Sequence, residues 1–238
     1  MTLFSKLSNR KRRKVSLCSA VIAAAGSSNR MGEDKLFIDI HGIPVLAHTL
    51  MAFQKSPDVS EIIVVTRPDC VDKVNEICQR FSIGKATNFI FGGATRMLSV
   101  LNGVNSASDE SDIIAIHDGA RPCIELPTIQ RTIELARKFH AAAPAIPVTS
   151  TLKKVKKDFI LETVDRSSLY EVQTPQVFQA DLIKAALTNA LNKSIEVTDE
   201  CKAVELIGAT VRITEGSRRN IKLTTPEDIV IAKAILQA

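Results

Sequence analysis

Ser19 to Ala24 reads as a short apolar strand, and it runs without a break into the small-residue turn Ala25-Gly26-Ser27-Ser28, with cations following at Arg30 and Lys35. Small residues let the backbone come close to a ligand, and consecutive free N–H groups in such a turn make an anion-binding concavity. Two cations a few residues on add fixed positive charge, so polyphosphate chemistry is the first expectation. A dinucleotide fingerprint would need three glycines, and only Gly26 is present. A Walker A loop would end in Gly-Lys-Ser/Thr, whereas Gly32 is followed by Glu33-Asp34-Lys35. Taken alone, the segment also fits an ordinary strand-to-helix loop with two solvated cations.

The rest of the chain repeats that strand-to-helix rhythm. Apolar, β-prone runs are predicted at 19–24, 61–66, 88–91, 112–117, 143–148 and 210–214. Stretches long enough for helices lie at 45–55, 69–81, 95–107 and 127–140. In the third of these Met97, Val100, Leu101 and Val104 share one face. The last element opens Thr225-Pro226-Glu227-Asp228, with an N-cap Thr, Pro in the first turn and acids at the positive end of the helix dipole. Such alternation predicts an α/β fold with a mostly parallel sheet and helices on both faces. Ligands then sit beyond the carboxyl ends of the strands, where the 25–35 turn, Gly92-Gly93 and His117-Asp118 would meet.

A chain of 238 residues, 45% of them hydrophobic, suits one large domain. Residues 1–17 read as a basic tail and 18–238 as the domain. The tail, with Arg10-Lys11-Arg12-Arg13-Lys14, could touch RNA or an anionic membrane. Phe4 is its only aromatic and it has no clear apolar face, so a solvated terminus fits better. No apolar run reaches the roughly 18–20 residues that span a membrane, and no secretory pattern is visible. Five cysteines with no C-x-x-C pair predict reduced thiols and a cytoplasmic location. The four histidines are too scattered for a metal site, so a catalytic metal is expected to arrive with the substrate.

Residues 151–164 break the rhythm. Lys153, Lys154, Lys156 and Lys157 leave little that is apolar in the first half, while Phe159 to Val164 is β-prone and Lys157-Asp158 can turn a hairpin. A lone two-stranded ribbon is marginal in water. The expectation is a projecting arm, about 151–166, held most simply by a second subunit; a solvated basic loop is the alternative.

Further segments carry chemistry. Gly92-Gly93-Ala94-Thr95-Arg96-Met97-Leu98-Ser99 places a Gly pair at a strand end, where backbone can contact a planar base or simply turn. His117-Asp118-Gly119-Ala120-Arg121-Pro122 sets an Asp and an Arg three residues apart at the end of a buried strand, a ligand pair or a local ion pair. Thr163-Val164-Asp165-Arg166 and Thr174-Pro175-Gln176-Val177-Phe178 flank the return from the arm. Arg219-Asn220-Ile221-Lys222-Leu223-Thr224 puts a Lys just before the last helix.

Together with A-A-A-G-S-S-N-R-M at 23–31, the T-D-E at 198–200 and N-I-K-L-T-T-P-E-D at 220–228, these segments resemble the 2-C-methyl-D-erythritol 4-phosphate cytidylyltransferase family. They follow the family's order from about residue 18 onward. The family loop often has a second Gly before its arginine, where this chain has Ser28-Asn29.

The resemblance implies a Rossmann-like nucleotidyltransferase fold and a homodimer with interlocking arms. It also implies CMP transfer from CTP to the methylerythritol phosphate, with pyrophosphate released. By matching positions, Arg30 and Lys35 would stabilise triphosphate charge. Ala24, Ala25, Gly93 and Ser99 would surround cytosine, and Gly26 and Asp118 the ribose. Arg121, Thr151, Arg166, Thr174, Thr198 and Lys222 would hold the sugar phosphate, with Thr151, Arg166 and Thr174 reaching over from the partner. Magnesium would bridge the triphosphate oxygens, with Asp118 as a candidate protein ligand. Neither a nucleic acid nor a membrane is implied as a partner.

The chemistry fits these residue types. A phosphate monoester is already nucleophilic near neutral pH, so no general base is needed. The obstacle is bringing two anions together, which preorganised cations and N–H groups overcome. Among the rivals, a ribitol 5-phosphate cytidylyltransferase tends to have Ala-Gly-Gly where this chain has Ala24-Ala25-Gly26. A glycosyltransferase would show an Asp-x-Asp metal motif, which is absent. A silent nucleotide-binding or RNA-binding protein would not need Arg30, Lys35, Arg166 and Lys222 together.

Overall fold

The computed structural model describes residues 17–26 and 34–237. Residues 1–16 of the basic tail and Arg30 lie outside the described residues. From the start of the chain, β1 (Leu17–Ala23) is followed by the two-residue strands β2 (Asp39–Ile40) and β3 (Ile43–Pro44), then α1 (Val45–Lys55) and β4 (Val59–Thr66). Next come α2 (Val71–Arg80), β5 (Ala86–Phe91), α3 (Arg96–Asn105), β6 (Ser111–Asp118), α4 (Leu126–Phe139) and β7 (Ala141–Pro147). The hairpin strands β8 (Leu152–Lys156) and β9 (Phe159–Val164) precede β10 (Tyr170–Val172) and β11 (Gln176–Gln179). The chain ends through α5 (Ala180–Asn192), α6 (Glu200–Glu205), β12 (Arg212–Glu215) and α7 (Pro226–Gln237).

The main sheet has the order β10-β7-β11-β6-β1-β4-β5, with β12 also on β7. β1 runs parallel to β4 and β6, β4 to β5, and β12 to β7; β10 and β11 are antiparallel to their neighbours. The mostly parallel sheet is therefore as expected. Both faces are covered, which is why its strands read as near-continuous apolar runs. Successive residues serve opposite faces. Ile22, Ile62 and Val64 pack in a core with Leu46, Leu50, Phe53, Ile129 and Ile133. Val21, Ile63 and Val65 pack in a second core with Val100, Val104, Phe178, Ile183 and Leu187. Each fully buried Leu, Ile or Phe contributes about 1.5–3 kcal/mol. Helix α3 lies very close to the sheet at Gly103, where a Cβ would come within 2.6 Å of both Val21 Cγ1 and Val65 Cγ2.

Several boundaries differ from expectation. β1 begins at Leu17, two residues before the strand expected from the sequence. Pro68–Cys70 forms a separate 3-10 turn ahead of α2. Helices α5 and α6 and the short strand β11 were not anticipated. β11 slots antiparallel between β6 and β7, pairing Val177 with Ala115 and with Ala142. At the last helix the capping contact also runs backward: Asp228 Oδ2 accepts from the amides of Thr224 and Thr225 at 2.7 and 2.8 Å.

The expected arm is a hairpin that pairs with no strand of the main sheet. Lys157 and Asp158 both have positive φ, 46° and 66°, the backbone of a tight two-residue turn whose twist suits a hairpin. Lys154 pairs with Glu162 at 3.1 Å across the strands. Phe159, Ile160 and Leu161 stand in the open, at 75%, 64% and 56% exposure, an apolar run that a solitary chain would leave wet.

Candidate active site

The chain passes from β1 to β4 and β5 on one side, then returns to place β6 on the other side of β1. That reversal opens a crevice at the carboxyl ends of the two central strands, the usual ligand position in open α/β sheets. A cleft of about 460 Å³ lies there. Its walls come from the ends of β1 (Ala23–Gly26), β4 (Arg67), β5 and α3 (Gly93 to Arg96, Ser99) and β6 (Asp118), together with Lys35, Leu36, Ala120 and Lys222. Backbone bonds lock the strand ends: Ala24 N donates to Val65 O at 2.8 Å and Gly119 N to Ala23 O at 2.9 Å.

One wall is flat and made of small groups. A Cβ on Gly92 would stand 2.4 Å from Ala25 Cβ and 3.0 Å from Ser99 Oγ, so only glycine fits. The Ser99 hydroxyl accepts from Gly93 N at 3.0 Å and donates to Thr95 O at 2.9 Å. Thr95 itself caps α3, its Oγ1 accepting from Leu98 N at 3.1 Å. The wall formed by Ala24, Ala25 and Gly93 thus offers close backbone approach to a planar group.

The floor is electrostatic. Asp118 Oδ2 lies 2.9 Å from Lys222 Nζ and 3.4 Å from Arg121 Nε, and Oδ1 lies 3.4 Å from Arg96 Nη2. Burial alone would raise this carboxyl, but Lys222 foremost, then Arg96 and Arg121, hold it well below the usual carboxylate range. Arg96 also grips Glu200 through both oxygens, at 2.6 and 3.1 Å. Glu200 is fully buried, and burial pushes its carboxyl up against the pull of Arg96. Next to Asp118, His117 packs against Phe53 with ring centroids 5.0 Å apart. Its Nδ1 lies 2.9 Å from Thr174 Oγ1, and the same Oγ1 accepts from Asp118 N at 3.2 Å. The Arg121 carbonyl, 3.4 Å from Nε2, can only accept, so in the neutral ring Nε2 carries the proton and the Thr174 hydroxyl donates to Nδ1. Burial pushes His117 down to about 3, so the ring is neutral.

Lys35 enters from the 3-10 turn Lys35–Phe37, capped by Asp34, and Nζ donates to Leu223 O at 2.8 Å. Lys35, Lys222 and Asp118 therefore meet at one cleft although they are far apart in sequence. Ala24, Ala25, Gly26, Gly93 and Ser99 line the same cleft. Other expected residues lie elsewhere. Arg121 sits behind Asp118, its Nη1 donating to Asn220 O at 2.7 Å, and does not line the cleft. Thr198 is exposed just before α6, and Thr151 is exposed at the base of the arm. Arg166 is exposed at the other end of the arm, where it donates to Thr149 O. Thr174 corrects an expectation: it is buried and bonded to His117 and Asp118 of its own chain, so its hydroxyl does not reach over to a partner.

Sequence reasoning assigned no site role to Arg67, Arg96, Glu200 or His117. Arg96 and Glu200 stood inside the G-G-A-T-R and T-D-E segments, and a buried acid and base in two such segments were a usable signal. Arg67 follows a plain strand and carried none. Among the described residues no group of three or more His, Cys, Asp or Glu side chains could hold a metal, and no helix is long and apolar enough to cross a membrane.

A sequence profile described as 2-C-methyl-D-erythritol 4-phosphate cytidylyltransferase matches residues 18–238. The enzyme of that name from Halalkalibacterium halodurans is 40% identical over 220 residues, covering 92% of this chain and 96% of its own. The one from Caldanaerobacter subterraneus is 41% identical over 223 residues, covering 92% and 98%. The crystal structure of 4-diphosphocytidyl-2C-methyl-D-erythritol synthase from Anaerococcus prevotii superimposes with a TM-score of 0.84 at 32% identity, covering 94% of this chain and all of that one. That of 2-C-methyl-D-erythritol 4-phosphate cytidylyltransferase from Thermus thermophilus gives 0.79 at 31% identity, covering 92% and 98%.

Proposed function

The chain belongs to the 2-C-methyl-D-erythritol 4-phosphate cytidylyltransferase family, and from that premise we propose that it transfers CMP from CTP to 2-C-methyl-D-erythritol 4-phosphate. The products are 4-diphosphocytidyl-2-C-methyl-D-erythritol and pyrophosphate, a step of non-mevalonate isoprenoid precursor synthesis. The observation that carries this reading is the meeting of Lys35, Lys222 and Asp118 beside the flat wall of Ala24, Ala25 and Gly93.

In this mechanism the base lies on the flat wall, where Gly93 and Ser99 backbone and hydroxyl groups select a pyrimidine and the lack of room excludes a purine. Asp118 and Gly26 take the ribose. An oxygen of the sugar phosphate forms a bond to the α-phosphorus, and the bond to the α–β bridging oxygen breaks, pyrophosphate leaving with the electron pair. Lys35, with Arg30, counters charge on the triphosphate; Lys222 and Arg166 hold the attacking phosphate. These cations act by being in place before charge develops, so little reorganisation is needed.

A divalent cation, magnesium in the simplest form, is part of this proposal. Among the described residues the cleft walls carry Lys35, Arg67, Arg96 and Lys222 against the single carboxylate Asp118. One carboxylate already shared by three cations suits a hard ion that keeps most of its oxygen ligands on triphosphate and water. Asp118 would be its one protein ligand, and the ion would neutralise phosphate charge.

The reading includes a homodimer. Its support is the hairpin β8–β9 with Phe159, Ile160 and Leu161 exposed and Thr151 and Arg166 at its base, so that these two side chains would complete the partner's cleft. It also includes a reducing, cytoplasmic setting, supported by five buried cysteines with no disulfide between them. The test is pyrophosphate release from CTP with methylerythritol phosphate and, separately, with ribitol 5-phosphate, then with UTP, ATP and GTP replacing CTP. Turnover confined to CTP and the erythritol substrate is expected. Preference for ribitol 5-phosphate, or equal use of a purine triphosphate, would overturn the assignment.

A further inference from the structure

We propose that Arg67 is a positioning residue for Lys35, acting through Asp34, and is not itself a phosphate ligand. The proposal rests on the cytidylyltransferase reading for the role of Lys35. Arg67 stands just past the end of β4 and lines the cleft, which by itself would suggest a phosphate contact. Its bonding argues otherwise. Nη2 lies 2.6 Å from Asp34 Oδ2, Nε lies 3.4 Å from Asp69 Oδ1, Nη1 donates to Gly26 O at 3.3 Å, and Nη2 also meets Cys70 Sγ at 2.9 Å. Two carboxylates already balance one guanidinium, and three of its five N–H donors are hydrogen-bonded. A triphosphate arriving at this wall would find little uncommitted charge on it.

What Arg67 does instead follows from Asp34. While Oδ2 takes the guanidinium, Oδ1 accepts from Leu36 N at 3.2 Å and caps the turn that carries Lys35. A carboxylate that is gripped on one oxygen and caps with the other fixes the direction of that turn. Lys35 then extends to Leu223 O, the residue next to Lys222. Arg67 also ties the Gly26 carbonyl, at the end of the flat wall, to the same guanidinium. One side chain thus sets the distance between the wall that would hold the nucleoside and the turn that presents the lysine. Arg67 and Asp34 are each a quarter or less exposed, or close to it, which limits screening of the pair.

The test is a double-mutant cycle of Arg67→Ala, Asp34→Ala and the pair, read by kcat and KM for CTP and by calorimetric titration with CTP, which needs no turnover. Displacing a catalytic group by about an ångström costs roughly a hundredfold, so each single variant is expected to lose roughly ten- to a hundredfold in kcat. The pair should lose no more than either single, because both act through one contact. On a Lys35→Ala background Arg67→Ala should cost nothing further. Arg67→Lys should recover part of kcat. Multiplicative losses, a rise in KM for CTP with Arg67→Ala alone, or a lowered melting temperature with unchanged kcat would each overturn the proposal. Arg67→Gln substitutes if Arg67→Ala does not fold. Wild-type protein that binds CTP but makes no cytidylyl product would defeat the functional reading, while the titration cycle would still judge Arg67.

Discussion

Lys222 Nζ stands 2.9 Å from Asp118 Oδ2, joining the segment before the last helix to the carboxyl end of a central strand. Around the same carboxylate, Arg96 and Arg121 approach to 3.4 Å, so three cations share one buried anion. Asp118, with Glu200 on the far side of Arg96, lets these cations come together. Mutual repulsion among them is the cost that Asp118 removes.

Asp118→Asn is therefore expected to lower stability as well as turnover. Removing one partner of a fully buried ion pair costs about 3–5 kcal/mol. Lys222 and Arg96 are a third or more exposed and partly screened, which brings the expected loss to roughly 1–3 kcal/mol. The sign with pH follows from the depressed carboxyl. Its stabilisation is present above the unfolded value near 4 and is lost as pH falls towards the folded one. Urea denaturation at pH 7 and at roughly pH 2.5 checks both points: the variant should be the weaker at pH 7, and the gap should narrow only below about pH 4. An unchanged midpoint at pH 7 would contradict the account.

His117 gives a second pH dependence, at higher pH. Its folded value is about 3 because the ring is buried, whereas an unfolded histidine titrates near 6.5. Between those values the unfolded chain takes a proton that the folded chain refuses, so stability falls as pH drops. One such group contributes up to about 1.4 kcal/mol per pH unit. His48, also lowered by burial, adds in the same direction. Denaturation midpoints from pH 6.5 to 5 should fall more steeply for wild type than for His117→Asn; identical slopes would mean that the ring is not held neutral.

How much of this was readable in the sequence depended on where the information lay. Strands such as Val59–Thr66 are buried on both faces and announce themselves as apolar runs. β11, with Val177 and Phe178 between two glutamines, is too short for any period, and its position between β6 and β7 is a tertiary fact. Lys35, Asp118 and Lys222 could be singled out because each sits in a segment with a recognisable pattern. Arg67 could not, since its role exists only once Asp34 and Gly26 are brought beside it. Thr174 was expected, by resemblance alone, to reach over from a partner; in space its hydroxyl lies under Asp118 and beside His117 of its own chain.

The Arg96–Glu200 contact yields a stability prediction independent of catalysis. Glu200 is fully buried and bound through both oxygens, so Glu200→Leu leaves a guanidinium that is about a third exposed with only its 3.4 Å contact to Asp118 among these carboxylates. The expected loss is roughly 2–4 kcal/mol, below the full range for a buried pair because water reaches Arg96. Replacing both, Arg96→Met with Glu200→Leu, should restore much of it, since no charge is then left unpaired. Chemical denaturation of the two singles and the double measures the coupling, and additive losses would show that the pair is not the source.

The arm offers the last test. Among the described residues, strands 152–156 and 159–164 pair only with each other and expose Phe159, Ile160 and Leu161, while Arg166 stands at the base with its guanidinium on Thr149 O. If Arg166 serves the neighbouring subunit, Arg166→Ala and Lys35→Ala spoil different halves of each composite site. Each homodimer should then be inactive or nearly so, loss of one such cation costing on the order of 10²–10³ in rate. Mixing the two under exchange should create dimers with one doubly damaged site and one intact site. With random exchange about half the dimers are mixed and each regains one of two sites, so activity should recover to about a quarter of wild type. Subunit exchange can be followed separately with labelled chains. Exchange without recovery would place Arg166 in its own chain's reaction and remove the swapped arm from the mechanism.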